Sequence, residues 1–207
     1  MGKRKESLAD NYYDRLCNDY MLRYVDPGEF KELRLSSYRI EGKGRVCLIR
    51  LGGTEIGTFA PFYKEAPFFC FMMKKGLFSK SLSFEIIRSA TDKRIYRRFN
   101  ELEGAYSVLP EADTDDFWYS DRLADGSCTK KGESDKKSFV EMADDYFEAY
   151  VKLLEFSLDK DNAACTADMK SLCEGCLENG GLVANVLIKK LGPEKARELF
   201  ERYIFAN

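Results

Sequence analysis

Short segments between residues 30 and 89 either alternate hydrophobic and polar residues or run apolar throughout, and both patterns are typical of β-strands. Turn residues such as Gly52-Gly53 separate the segments. Connections this short favour antiparallel pairing, because parallel strands need long crossovers. We predict a meander-like sheet of roughly five to seven strands, with candidate strands at residues 31–35, 45–51, 55–60, 67–73 and 81–89.

A helical period dominates the second half of the chain. A long helix is predicted after a cap at Ser134 or Asp135, because one apolar stripe recurs every three to four residues: Phe139, Met142, Ala143, Tyr146, Phe147, Tyr150, Leu153 and Leu154. Further helices are predicted at residues 166–177, 182–191 and 193–205, where Pro193 suits a helix start.

Three other segments complete the prediction. Leu8, Tyr12, Leu16 and Tyr20 indicate a helix that starts at Ser7 and ends before Asp26. We expect one short helix within residues 92–109 and a last short strand at residues 117–119. The whole belongs to the α+β class. We expect a single domain over residues 1–207, with a frayed basic tail at residues 1–6.

Composition narrows the possible functions. The chain carries 33 basic and 35 acidic residues, so it lacks the positive field of a dedicated nucleic-acid binder. No apolar run approaches the roughly 20 residues of a spanning helix, so we expect no membrane partner and a soluble, cytoplasmic protein. Histidine is absent, which excludes histidine-based catalysis and metal ligation. Chemistry must therefore use carboxylates, thiols, tyrosines or a bound cofactor.

The most conspicuous local motif is a cysteine pair, Cys173 and Cys176, with Cys165 eight residues upstream. Thiols at this spacing serve redox exchange, zinc or iron–sulfur clusters, or are structural. The structural interpretation is favoured because the pair lies near the end of a predicted helix, and we assign no metal ligands.

The strand at residues 81–89 places Leu82, Phe84, Ile86 and Arg88 on one face, and Glu85 on the other among serines and Ile87. This second face either lies in solvent or lines a polar ligand cavity in which Glu85 donates a proton. A basic stretch also stands out, which is either a solvated face or a docking patch for an acidic partner: Lys74, Lys75, Lys80, Lys93, Arg94, Arg97 and Arg98.

Several segments, taken in order, resemble the ferredoxin-dependent bilin reductases. The resemblance rests on Asn179-Gly180-Gly181, the helix at 182–191, the segment 192–197, and Ile204-Phe205. Trp118-Tyr119-Ser120-Asp121 before the long helix, and the early strands at 30–35 and 66–71, are also similar. The resemblance implies an α/β/α sandwich whose central sheet is mainly antiparallel, with a linear tetrapyrrole or haem-like ligand between the sheet and the C-terminal helices.

The sequence differs from this family at the positions of the family's usual proton donors. There is no histidine, Met72 stands where the family's strand aspartate is expected, and Gly180 replaces a further aspartate. We therefore assign Glu85 and Asp121 as replacement proton donors, and pigment contacts to Arg88, Lys75 and Asn179. No tightly bound cofactor is expected. The resemblance implies electrons from reduced ferredoxin, an acidic electron-transfer protein. A non-catalytic ligand carrier or interaction module, and a cysteine-ligated metal or iron–sulfur protein, remain alternatives.

Overall fold

The fold is a three-layer sandwich with one antiparallel sheet between two groups of helices. The computed structural model describes residues 7–26, 30, 33–62, 66–88, 93–112, 117–133, 137–156 and 162–205. Within these ranges, no helix is both long enough and apolar enough to cross a lipid bilayer. The predicted α+β class, an α/β/α sandwich with an antiparallel sheet, is confirmed.

In the described part of the chain, seven strands form the sheet, and each pairs with the next in the order β1 to β7. All six pairings are antiparallel, as the short connections predicted. The strands are β1 Leu22–Val25, β2 Arg34–Ile40, β3 Gly44–Leu51, β4 Thr54–Pro61, β5 Phe68–Lys75, β6 Ser79–Ile87 and β7 Cys128–Glu133.

Six α-helices flank the sheet within the described residues, which end with a short π-helical turn, Phe200–Ile204. The helices are α1 Leu8–Asp19, α2 Arg97–Ala105, α3 Lys137–Phe156, α4 Asn162–Asn179, α5 Leu182–Leu191 and α6 Pro193–Leu199. Two short 3₁₀ segments, Lys93–Tyr96 and Ser120–Arg122, lie in the long connection between β6 and β7.

Alternation along the strands divides the core in two. Phe59, Phe71 and Phe84 belong to the cluster formed with α1, α2 and α3. Ile56, Cys70 and the helices α4 to α6 form the second cluster, together with the π-helical turn. We call the sheet face under α4 to α6 the C-terminal face. Both faces of the central strands are therefore buried, which explains their nearly continuous apolar sequences.

Two sequence-based assignments were wrong. Residues 117–119 do not form the last strand but a turn entering the 3₁₀ segment Ser120–Arg122, and the last strand is the polar β7. The N-terminal helix ends at Asp19, and β1 follows where a longer helix was expected. The basic tail at residues 1–6 and the predicted helix caps Ser134 and Asp135 lie outside the described residues.

Candidate functional site

A row of small and polar side chains crosses the C-terminal face from β2 to β6. Strand register pairs Ser37 with Cys47, Cys47 with Thr58, Thr58 with Cys70, and Cys70 with Glu85. All five residues are buried. Because buried polar groups are costly unless they have partners, such a row beneath a layer of helices is unusual for a purely structural core.

Glu85 at the end of this row is held by Tyr119. The Tyr119 hydroxyl donates to the Glu85 carboxylate, with 3.0 Å to each oxygen, and accepts a hydrogen bond of 3.0 Å from the backbone N–H of Leu182. Leu182 is the first residue of α5. The carboxyl is therefore connected through one tyrosine to a helix N-terminus, where the helix dipole favours negative charge.

The turn between α4 and α5 brings Tyr119 to this position. Gly180 and Gly181 have φ values of 82° and 158°, a conformation that favours glycine. A Cβ on Gly181 would lie 2.9 Å from the Tyr119 ring, so the close approach also needs glycine. The Trp118 indole N–H donates to the Gly180 carbonyl at 3.0 Å, which fixes the aromatic segment against the turn.

Burial shifts the pKa values of both Glu85 and Tyr119 upward. Loss of solvation raises the pKa of Glu85 from 4.5 to about 7, and the hydrogen bond from Tyr119 offsets part of this rise. The pKa of Tyr119 is raised well above its ordinary value, first by burial and then by the Glu85 charge. Near neutral pH, Glu85 is thus present in both protonation states, as a proton donor requires.

The Glu85 carboxyl should make stability depend on pH. Its folded-state pKa of about 7 exceeds the unfolded value near 4.5. Between these pH values the folded protein keeps a proton on Glu85 that the unfolded chain releases. The free energy of unfolding should therefore fall as pH rises, by about 2 kcal/mol between roughly pH 5.5 and 8. Urea unfolding of the wild type and Glu85→Gln at both pH values measures this difference. Equal pH dependence in the two proteins would contradict it.

A small cavity of about 20 Å³ adjoins Glu85, Tyr119 and Thr58, and Cys176, Val183 and Phe205 complete part of its wall. The space fits about one water molecule. Among the described residues, the Thr58 and Ser37 hydroxyls have no hydrogen-bond partner.

A separate open groove of about 370 Å³ lies on the same sheet face. Leu182 lines both spaces. In the groove, Ser83 lies two residues before Glu85 on β6, and Met72 lies two residues after Cys70 on β5. The remaining groove residues are two lysines, small polar residues and two apolar ones: Lys74, Lys131, Gly76, Ser79, Ser81, Thr129, Ala112 and Phe117. The groove therefore offers a ligand apolar contact, hydroxyl groups and two positive charges.

Comparisons with known proteins bear on the fold. No family model and no curated protein matches this chain. A crystal structure of phytochromobilin synthase from tomato, in complex with biliverdin, is similar with a TM-score of 0.70 and 14% identity, over 96% of this chain and 81% of that one. The likeness shows the fold. The resemblance to the bilin reductases inferred from the sequence is thus supported at that level.

The two carboxyls assigned as proton donors differ in their surroundings. Glu85 is only 8% exposed, so the interpretation of its strand face as solvent-exposed was wrong. The side chain of Asp121 is exposed, and its residue contributes a backbone carbonyl that accepts from Arg88 at 2.9 Å. Asp121 lines neither the cavity nor the groove.

The residues assigned as pigment contacts are not brought together. The Arg88 guanidinium donates to the backbone carbonyls of Asp121 and Arg122. Lys75 lies on the opposite sheet face, where its ammonium pairs with Glu55, and Asn179 is exposed at the end of α4. Lys74, the neighbour of Lys75, faces the groove instead.

The cysteine motif lies in the apolar core above the C-terminal face. The Cys165 thiol donates to the Pro61 carbonyl at 3.2 Å. Burial raises the pKa of both Cys173 and Cys176 to about 12, which disfavours the thiolates that disulfide exchange needs. Within the described ranges, no group of three or more acidic or thiol side chains could hold a metal ion.

Tyr119 and Thr58 are the site residues that the sequence did not reveal. Tyr119 lies in an aromatic run that was assigned to a strand, and its partner Leu182 is 63 positions away. Thr58 belongs to an ordinary β-rich segment. Only strand register and the α4–α5 turn bring these residues to Glu85.

Proposed function

We propose that this protein binds a linear tetrapyrrole of the biliverdin type in the groove on the C-terminal face. The observation that carries the proposal is the open groove itself, which shares Leu182 with the small cavity that the Glu85 carboxyl lines. Its volume of about 370 Å³ lies in the usual range of small-molecule sites, roughly 300–1,000 Å³. The fold likeness to a protein crystallised with biliverdin supports the same ligand class.

The groove chemistry suits such a pigment. A linear tetrapyrrole has flat conjugated faces, two propionate groups, and pyrrole and lactam groups along its edges. Met72 and Phe117 offer apolar contact to the faces, while Lys74 and Lys131 offer positive charge to the propionates. Hydroxyls on β6 and β7 offer hydrogen bonds to the polar edge.

Glu85 is the acid we propose for reduction of the bound pigment. Two reduced ferredoxins would each deliver one electron, and two protons would complete the addition of two hydrogens to the conjugated system. Glu85 would supply one proton and regain it from solvent, the second proton would come from solvent, and Tyr119 would position the carboxyl. Asp121 is not assigned this role, because its side chain is exposed and lines neither the groove nor the cavity beside Glu85.

A second candidate is a pigment carrier that does not reduce its ligand. Met72 favours it, because this groove residue has no titratable group and stands where the resemblance expects an aspartate. The two candidates share the binding site and differ in one observable. A reductase changes the bound pigment's spectrum irreversibly when reduced ferredoxin is added, and a carrier leaves the bound spectrum unchanged.

The binding test is an absorbance titration of biliverdin with purified protein. We expect a saturable change in the long-wavelength band, and a loss of affinity of about tenfold or more in Lys74→Glu/Lys131→Glu, because two attractive charges become repulsive. Lys152→Glu, on α3 at the opposite layer, is the matched control and should bind as the wild type does. An unchanged biliverdin spectrum at all protein concentrations would overturn the proposal.

A further inference from the structure

Two large apolar side chains project from the tip of the β5–β6 hairpin. Leu77 is 91% exposed and Phe78 is 87% exposed. The turn that presents them is closed by a 2.8 Å hydrogen bond from the Gly76 N–H to the Ser79 carbonyl. Single exposed hydrophobic residues are ordinary, but an adjacent pair at one turn is a surface that another molecule can cover.

The surroundings of this tip are basic. Lys74 and Lys75 end β5 and are exposed, and Lys80 near the start of β6 is the register partner of Lys75. The nearby acids are Glu55, which pairs with Lys75, and Glu133, the register partner of Ser79. An acidic partner would therefore meet complementary charge around an apolar centre.

The tip also borders the groove, since Gly76 and Ser79 belong to both. A partner seated on Leu77 and Phe78 would lie at the mouth of the groove, close to a ligand inside it. Transient electron-transfer complexes have small interfaces. A surface with two apolar anchors surrounded by basic residues matches the size of such an interface.

The basic residues of α2 are less suited to docking than the hairpin tip. Arg97 and Arg98 both pair with Glu101 on the same helix, with nitrogen–oxygen distances of 2.9 and 3.5 Å. These ion pairs neutralise part of the positive charge that the sequence suggested for docking. The charge at the hairpin tip is also partly neutralised, by the Lys75–Glu55 pair, but the tip adds apolar contact and access to the groove.

We infer that residues 74–80 form the docking surface for a small acidic one-electron carrier protein, with Leu77 and Phe78 as its apolar anchors. The inference rests on the proposed function, because it assigns the entry point of the electrons to the pigment groove. An anionic lipid surface is the competing occupant of the same tip.

The test compares two electron donors on one variant. Leu77→Ser/Phe78→Ser should lower the rate of biliverdin reduction at subsaturating ferredoxin by about tenfold, the loss expected when central anchors are removed. With reduced methyl viologen, which needs no docking surface, the rate should stay that of the wild type. Val108→Ser is the matched control, because Val108 is 85% exposed on a different turn. It should leave both rates unchanged.

Salt gives a second readout. The wild-type rate with ferredoxin should fall as ionic strength rises through about 0.15 M, where the Debye length is about 8 Å, and Lys80→Glu should lower it further at low salt. An equal ferredoxin-dependent rate in the wild type and the double variant would overturn the inference.

Failure of the proposed function is distinguishable from failure of this inference. If the wild type reduces biliverdin with neither donor, the reductase proposal fails, and direct titration of a plant-type [2Fe–2S] ferredoxin against both proteins decides the docking surface. Weaker binding by the double variant supports the inference, and equal or absent binding overturns it. Tip-dependent sedimentation with anionic vesicles, without ferredoxin binding, would also overturn it and assign the tip to a lipid surface.

Discussion

Phe147→Ala should lower the free energy of unfolding by about 3–5 kcal/mol, the usual cost of removing a buried aromatic side chain. Phe147 has no exposed surface. Its ring stacks on Tyr12 with centroids 3.9 Å apart and an interplanar angle of 8°, and lies 5.8 Å from the Phe59 ring. One side chain thus joins α3, α1 and the sheet, so its removal leaves a cavity that none of the three layers can close alone.

Val140→Ala is the matched control on the same helix. Val140 is 39% exposed, so its truncation should cost about 0.5 kcal/mol or less. Chemical denaturation of the wild type and both variants measures the difference. A loss below about 1 kcal/mol in Phe147→Ala would mean that this helix face does not pack on the sheet.

The position of Phe147 was predictable because local periodicity carries the information. In α3 the apolar stripe recurs with the helical period, and every one of its members is buried except Leu153, which is partly buried. The meander was predictable for a similar reason, since short connections leave antiparallel neighbours as the only economical pairing. Both inferences use residues close in sequence.

The last strand shows where local information fails. Residues 117–119 are aromatic and favour a strand by propensity, whereas β7 is rich in lysine and polar residues. β7 is nevertheless the strand, because it is the edge of the sheet and hydrogen bonds to β6 outweigh its weak propensity. The aromatic segment instead packs between the sheet and α5, with the Tyr119 hydroxyl bound to the Leu182 N–H.

The candidate site was predictable in part. Alternation along β6 separated Glu85 from the apolar residues of its strand, but the pattern fits a solvent-exposed face equally well. Burial of Glu85 depends on the helices α4 to α6, which begin 77 to 108 positions later in the sequence. Its partner Tyr119 depends on the Gly180 turn, so no local pattern could identify the pair.

Glu85→Gln should keep pigment binding and lower the rate of ferredoxin-dependent reduction by about a hundredfold or more, the usual range for loss of a general acid being 10²–10⁴. Glutamine preserves the size of the side chain and a hydrogen bond from Tyr119, but it cannot release a proton. Binding is measured by biliverdin titration and reduction by the loss of the bound pigment's absorbance. Glu174→Gln, an exposed residue of α4, is the control and should leave both unchanged.

The pH profile tests the same assignment independently. Only protonated Glu85 can act as an acid, so the rate should fall as pH rises through about 7, the pKa set by burial of the carboxyl. Tyr119→Phe removes the hydrogen bond that lowers this pKa, so its rate should begin to fall at a higher pH than that of the wild type. A profile that does not move in Tyr119→Phe, or a Glu85→Gln variant that reduces pigment at the wild-type rate, would assign the proton to another group.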